Sequence, residues 1–90
     1  MDLELDRRTA LVFGASGGLG RAIAEGLAAE GANVILSGRS AEKLEAVREE
    51  IAATARGRIS TLVADLGNPE AVAAAIEQVK AGEMPDILVL

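Results

Sequence analysis

Leu11-Val12-Phe13-Gly14-Ala15-Ser16-Gly17-Gly18-Leu19-Gly20-Arg21-Ala22-Ile23 is the stretch that decides the fold. An apolar strand runs into glycines at 14, 18 and 20, and a helical pattern follows at once. Glycines at that spacing let the backbone turn sharply, let a pyrophosphate approach without meeting a Cβ, and let the next helix pack closely on a sheet. The first N–H groups of that helix have no intrahelical partner and point at the phosphate. Strand, turn and helix together point to a dinucleotide site. The alternative reading is an ordinary tight strand-to-helix turn that binds nothing.

Outward from the turn, Thr9 to Phe13 reads as the first strand, and Leu19, Ala22, Ile23, Gly26 and Leu27 recur at helical spacing up to Glu30. Gly31 closes that helix as a left-handed cap. Val34-Ile35-Leu36 is a run of the kind buried on both faces of a parallel sheet, and Gly38 ends it. Ser40 caps a second helix with Leu44, Val47 and Ile51 in one stripe, while Glu42, Lys43, Glu45, Arg48, Glu49 and Glu50 read as a solvated face. After a break at Gly57, Ile59 to Ala64 is a third strand, and Asn68-Pro69-Glu70 starts a third helix with cap, proline and acid in turn. Val72, Ile76 and Val79 mark its buried stripe, Gly82 ends it, and Pro85-Asp86 leads into a fourth strand, Ile87 to Leu90.

The order βαβαβαβ, with helices long enough for right-handed crossovers, predicts an α/β fold: half of a Rossmann-type doubly wound parallel sheet with strand order 3-2-1-4. A fourth strand of large aliphatics left at an open edge forfeits about 1.5–3 kcal/mol per side chain, so residues 1–90 are expected to be the N-terminal part of one dinucleotide-binding domain, truncated before its catalytic half. Composition agrees with a small α/β unit. Half of the ninety residues are apolar, with one Phe and no Trp or Tyr. The net charge of −5 and the single aromatic speak against a nucleic-acid or anionic membrane partner. Without Cys or His, disulfides, thiolate chemistry and the commonest metal ligand are excluded, and no metal site is expected. No apolar run has the length of a signal peptide or membrane span, which points to a cytoplasmic protein.

These residues resemble the short-chain dehydrogenase/reductase family from Thr9 to Val89. Phe13 to Gly20 is similar to its TGxxxGxG loop, Val63-Ala64-Asp65-Leu66 to its adenine-binding strand end, and Asp86-Ile87-Leu88-Val89 to the strand leading into its NNAG element. Phe13 and Leu90 depart from the usual Thr and Asn. The resemblance implies reduction of a carbonyl or oxidation of an alcohol with a nicotinamide dinucleotide, a homo-oligomer as full-length enzyme, and a Ser-Tyr-Lys set later in the chain. No catalytic residue is expected among the ninety, which contain no Tyr. Gly14-x2-Gly17-x2-Gly20 also fits the extended branch, which includes sugar-nucleotide epimerases; Gly38-Arg39-Ser40 before a charged helix resembles the short branch with an NADP preference.

Sites that prefer NAD carry a carboxylate at the end of the second strand. Between Glu30 and Glu42 this chain has none; Gly38 takes the family's Asp position, and Arg39 offers a guanidinium fork suited to a 2′-phosphate. Arg39 is otherwise a surface arginine. Ser16 either donates to the ribose or its phosphate or stabilises the turn, and Ser40 lies beside Arg39. The backbone N–H groups of Gly18, Leu19 and Gly20 meet the pyrophosphate, with Gly14 and Gly17 in the same loop. The resemblance implies that Asp65 accepts from the adenine amino group with the Leu66 backbone beside it; the bland reading is a strand-end acid facing water. The leading expectation is an NADP-dependent oxidoreductase, with a 3-oxoacyl thioester or similar small carbonyl as a candidate substrate. A dinucleotide-binding regulator without catalysis is the alternative from another class. Resemblance to the methyltransferase fold would imply an acid at the end of the second strand, which this chain lacks, and a P-loop kinase fails for want of Gly-Lys-Ser/Thr.

Overall fold

Short aliphatic runs alternating with helices favour parallel strands joined by crossovers. The computed structural model, which describes residues 8–65, 67–82 and 87–89, has that architecture: β1 (Thr9–Phe13), α1 (Gly18–Ala29), β2 (Asn33–Gly38), α2 (Ala41–Ala52), β3 (Ile59–Val63), α3 (Pro69–Gly82) and β4 (Ile87–Val89). The strands form one sheet in the order β3-β2-β1-β4. All pairs are parallel, with Val12 opposite both Leu36 and Val89, and Leu36 opposite Thr61. Parallel register brings every strand's carboxyl end to the same edge. β2 is longer than its aliphatic centre, and β3 stops at Val63, one residue short of the expected Ala64.

Strand parity divides the core in two. On one face Val12, Val34, Leu36 and Ile59 pack with Ala24 and Ala28 of α1 and with Leu44, Val47 and Ile51 of α2. On the other, Leu11, Phe13 and Ala64 are buried, with Ile35, Leu62 and Val72 of α3 half-buried around them. Ile35 is therefore less enclosed than a strand buried on both faces requires. Val72 and Ile76 are likewise half-buried rather than buried. The side chains of Val79 and of the fourth strand lie outside the described residues, as does all of Leu90.

The helix ends follow their local chemistry. Gly31 adopts φ 99°, and the N–H groups of Gly31 and Ala32 donate to Ala28 O and Leu27 O at 3.1 Å, the paired closure that a left-handed residue permits. Ser40 Oγ accepts from Lys43 N at 3.3 Å, and Asn68 Oδ1 accepts from Glu70 N at 3.1 Å.

α1 is rotated from the orientation its apolar spacing suggests. Ala24 and Ala28 are buried, Ile23 and Leu27 half-buried, and Ala22 and Gly26 exposed, with Leu19 78% exposed. The cause is Gly20: a Cβ there would lie 2.3 Å from Gly14 O, so Gly20 must face the turn, and the residues one and two helical turns on, Ala24 and Ala28, follow it onto the sheet. Nor is the charged face of α2 simply solvated. Glu50 pairs with Arg21 of α1, which also binds Glu25 at 3.0 Å, and Arg48 pairs with Glu45. The hydrogen bond that Arg21 donates to Glu25, then the charge of Glu50, raises the Arg21 pKa, and the hydrogen bond from Arg48 lowers that of Glu45.

Candidate functional site

At the carboxyl edge of the sheet, the turn after β1 and the exits of β2 and β3 enclose a cleft of about 440 Å³ lined by Gly14, Ser16, Gly17, Gly38, Arg39, Ala64, Asp65 and Gly67. Its floor continues the sheet: Ala15 N donates to Ser37 O at 3.0 Å, and Ala64 N to Gly38 O at 2.8 Å. The turn itself is drawn tight by Gly17 N donating to Gly14 O at 3.1 Å, with Gly14 at φ 68°.

α1 begins beside this cleft with Gly17 as its cap. No side chain caps it, and no acid stands in its first turn. The first i→i−4 bond runs from Arg21 N to Gly17 O at 2.9 Å, so the N–H groups of Gly18, Leu19 and Gly20 precede the helical ladder. With the helix dipole behind them, they form a region that favours negative charge. Around the missing Cβ of Gly18 nothing lies within 4 Å. The space suits a bulky anion such as a pyrophosphate.

At the exit of β2, Gly38 is buried, and a Cβ on it would sit 3.4 Å from Leu44 Cδ2 and 3.6 Å from Ser16 Oγ. Ser16 and Arg39 thus flank a position without a carboxylate. Arg39 is exposed and makes no hydrogen bond or ion pair among the described residues. Asp65, at the exit of β3, accepts from Gly67 N at 2.8 Å.

Of the residues singled out from sequence, Gly14, Ser16, Gly17, Arg39 and Asp65 line the one cleft. Gly18 and Leu19 open the adjoining helix, Gly20 packs inward on Gly14, and Ser40 caps α2 next to Arg39. Leu66 lies outside the described residues. Sequence reasoning left out Ala64 and Gly67 as lining residues. The pattern that finds Gly67 is Asp65-x-Gly67, in which an Asp side chain bonds the backbone two residues on. A second groove, between α1 and α2, is lined by Arg21, Glu25 and Glu50, whose charges already satisfy one another.

The family model for short chain dehydrogenases matches residues 8–90. The chain belongs to this family. Among curated relatives, the uncharacterized oxidoreductase YvrD of Bacillus subtilis is 37% identical to this chain over 90 residues, all of the chain and 33% of the relative. Among solved structures, L-sorbose reductase from Gluconobacter frateurii, complexed with NADPH and L-sorbose, has a TM-score of 0.89 at 34% identity, over 98% of the present chain and 34% of its own. The 3-oxoacyl (acyl-carrier-protein) reductase from Agrobacterium tumefaciens, with NADP bound, has a TM-score of 0.87 at 45% identity, over 96% and 33%. The chain spans about a third of the length of each of these three proteins.

Proposed function

We propose that this chain is the NADP(H)-binding portion of an oxidoreductase that interconverts a carbonyl and an alcohol. The observation that carries the reading is Arg39: a guanidinium without a partner among the described residues, at the exit of β2, with a buried glycine where an NAD-preferring site has its acid. Both solved relatives described above hold NADP or NADPH, which supports the same cofactor here.

In this reading the N–H groups of Gly18, Leu19 and Gly20 hold the pyrophosphate beside Gly14 and Gly17. Arg39 takes the 2′-phosphate with its planar fork. Ser40 Oγ accepts from Lys43 N and keeps its own hydrogen for the phosphate, since a hydroxyl both accepts and donates. Ser16 Oγ, next to Gly38, donates to the ribose or its phosphate. Asp65 accepts from the adenine amino group, and Leu66 stands beside it as the family resemblance implies. When bound, NADP(H) supplies the hydride chemistry.

The proton donor belongs to residues outside these ninety, which hold no Tyr, His or Cys to lower a proton-transfer barrier. The ninety residues alone are then the first part of a Rossmann domain without turnover of their own. The two solved relatives act on different substrates, a sugar and an acyl thioester, so specificity lies mainly beyond the third of the protein they share with this chain. A 3-oxoacyl thioester or similar small carbonyl remains the proposed substrate class. No helix among the described residues is long and apolar enough to cross a membrane. A cytoplasmic location and homo-oligomeric assembly are part of the proposal.

The test is the Arg39→Ala variant, titrated with both cofactors. Losing a charge-assisted contact costs about 1.5–3 kcal/mol, so NADPH binding weakens by about tenfold or more while NADH binding is unchanged. Equal weakening of the two rejects the 2′-phosphate role.

A further inference from the structure

β3 ends the sheet on the side away from β4. It runs in unbroken register with β2, from Ile59 opposite Val34 to Val63 opposite Gly38. In a parallel ladder, alternate residues turn both of their backbone groups to the same neighbour. Arg58 O accepts from Val34 N and Ala64 N donates to Gly38 O, so Ser60 and Leu62 face β2 as well, while Ile59, Thr61 and Val63 turn their N–H and C=O groups outward. No strand among the described residues takes them.

An exposed edge is usually blunted by a charge, a proline or a bulge. Ile59-Ser60-Thr61-Leu62-Val63 carries none of these. Val63 is apolar and 53% exposed, whereas Ile59, on the same face of the strand, is buried in the core under α2. The charges lie at the two ends of the strand. Arg56 and Arg58 precede it, Asp65 follows it, and all three are exposed. Pairing with a copy of itself running the other way brings each basic end to an acidic end, and parallel pairing sets like against like.

We propose that the outer edge of β3 is an interface between two copies of this chain, paired antiparallel about a two-fold axis at Thr61. An axis normal to the sheet keeps each face on its own side, so opposed residues must share a face. Centring on Thr61 satisfies this: Thr61 opposes Thr61 of the second copy, and Val63 opposes Ile59. These are the outward-facing residues, so each pair exchanges both of its N–H···O bonds. Val63 gains an apolar neighbour, and Arg58 of the second copy comes beside Ala64 at the rim of the cleft. The inference goes beyond the dinucleotide reading and does not depend on it.

The experiment is sedimentation equilibrium of the ninety-residue chain, followed by cross-linking. At about 100 µM, wild type is expected to sediment at twice its 9.2 kDa mass. Val63→Lys puts a charge on the edge and weakens association by about tenfold or more, with an unchanged circular dichroism spectrum. The chain has no Cys, so Thr61→Cys introduces a single thiol. Opposed Cα atoms of such a pair lie about 5.5 Å apart, within the span of a disulfide. Oxidised glutathione, itself reduced as the two thiols join, should convert Thr61→Cys to a covalent dimer, while Thr54→Cys, at an exposed position after α2, should not cross-link. A monomeric wild type overturns the proposal, and NADPH binding by that monomer leaves the cofactor reading standing. A dimer that Val63→Lys leaves intact, or that Thr61→Cys fails to lock, uses another surface and overturns it too. Equal cross-linking of the two thiols overturns the register. If Val63→Lys is unfolded, the two cysteine variants decide the matter.

Discussion

The two sides of the glycine turn obey different demands. On the inner side Gly20 is pressed so closely to Gly14 that a single added carbon would stand 2.3 Å from a carbonyl oxygen and 2.9 Å from its carbon. On the outer side Gly18, two residues away, has nothing within 4 Å of the same missing carbon. One glycine is required by the fold. The other leaves room that the fold does not use, and that room lies at the start of a helix whose first N–H groups precede its ladder. Residues that look alike in a motif thus separate into a packing role and, in the proposed reading, a binding role.

Substitution at these two positions should break the comparison if it is wrong. Gly20→Val meets backbone on both Gly14 and Ala15, which cannot move without opening the turn, and is expected to cost at least about 3 kcal/mol. In a domain of this size that lowers the thermal midpoint by more than about 10 °C, or removes the transition, when followed by circular dichroism. Gly18→Val should melt within about 5 °C of wild type yet lose NADPH binding by about a hundredfold or more, because its side chain fills the space left for the pyrophosphate. Wild-type affinity in a folded Gly18→Val protein would reject the site.

Smaller effects sharpen the outer side. Arg39→Ala, with its about tenfold selective loss of NADPH, is next in size. Ser40→Ala comes last: its cap bond to Lys43 N is long at 3.3 Å, so the expected loss is about 0.5–1 kcal/mol, a fall of a few degrees in a thermal melt. A loss at Ser40 larger than that from Gly20→Val would overturn the ranking of the Gly20 contact above the α2 cap.

Much of this was open to reading in the sequence, because the chain marks its own boundaries. Gly31, Ser40 and Asn68-Pro69 each end or begin a helix through chemistry local to a few residues, and the structure shows the corresponding closures. Leu44, Val47 and Ile51 are the only large apolar residues on a charged helix, so their burial was unambiguous. α1 was harder. It carries apolar side chains around much of its circumference, and the residue that sets its rotation, Gly20, has no side chain to register in a hydrophobic pattern.

The cleft shows the same division. Gly14, Ser16, Gly17, Arg39 and Asp65 are separated by up to 51 positions in sequence, and a parallel sheet gathers strand exits at one edge wherever they fall in the chain. What periodicity does not reveal is contact between helices or within a turn. The Arg21 bridge to Glu50 spans 29 positions, and the bond that orients Asp65 comes from a backbone N–H that any residue but proline carries.

The two backbone bonds that carry the sheet past its strands, from Ala15 to Ser37 and from Ala64 to Gly38, have a consequence for how a ligand is received. Binding loops are commonly the loosest part of a domain and must be stilled when a ligand arrives, at a cost in entropy. Here the floor of the cleft is tied into the same ladder as the core strands. A guest settling on that floor would find much of the ordering already done by folding, with the exposed side chains of Ser16, Arg39 and Asp65 left for it to quiet.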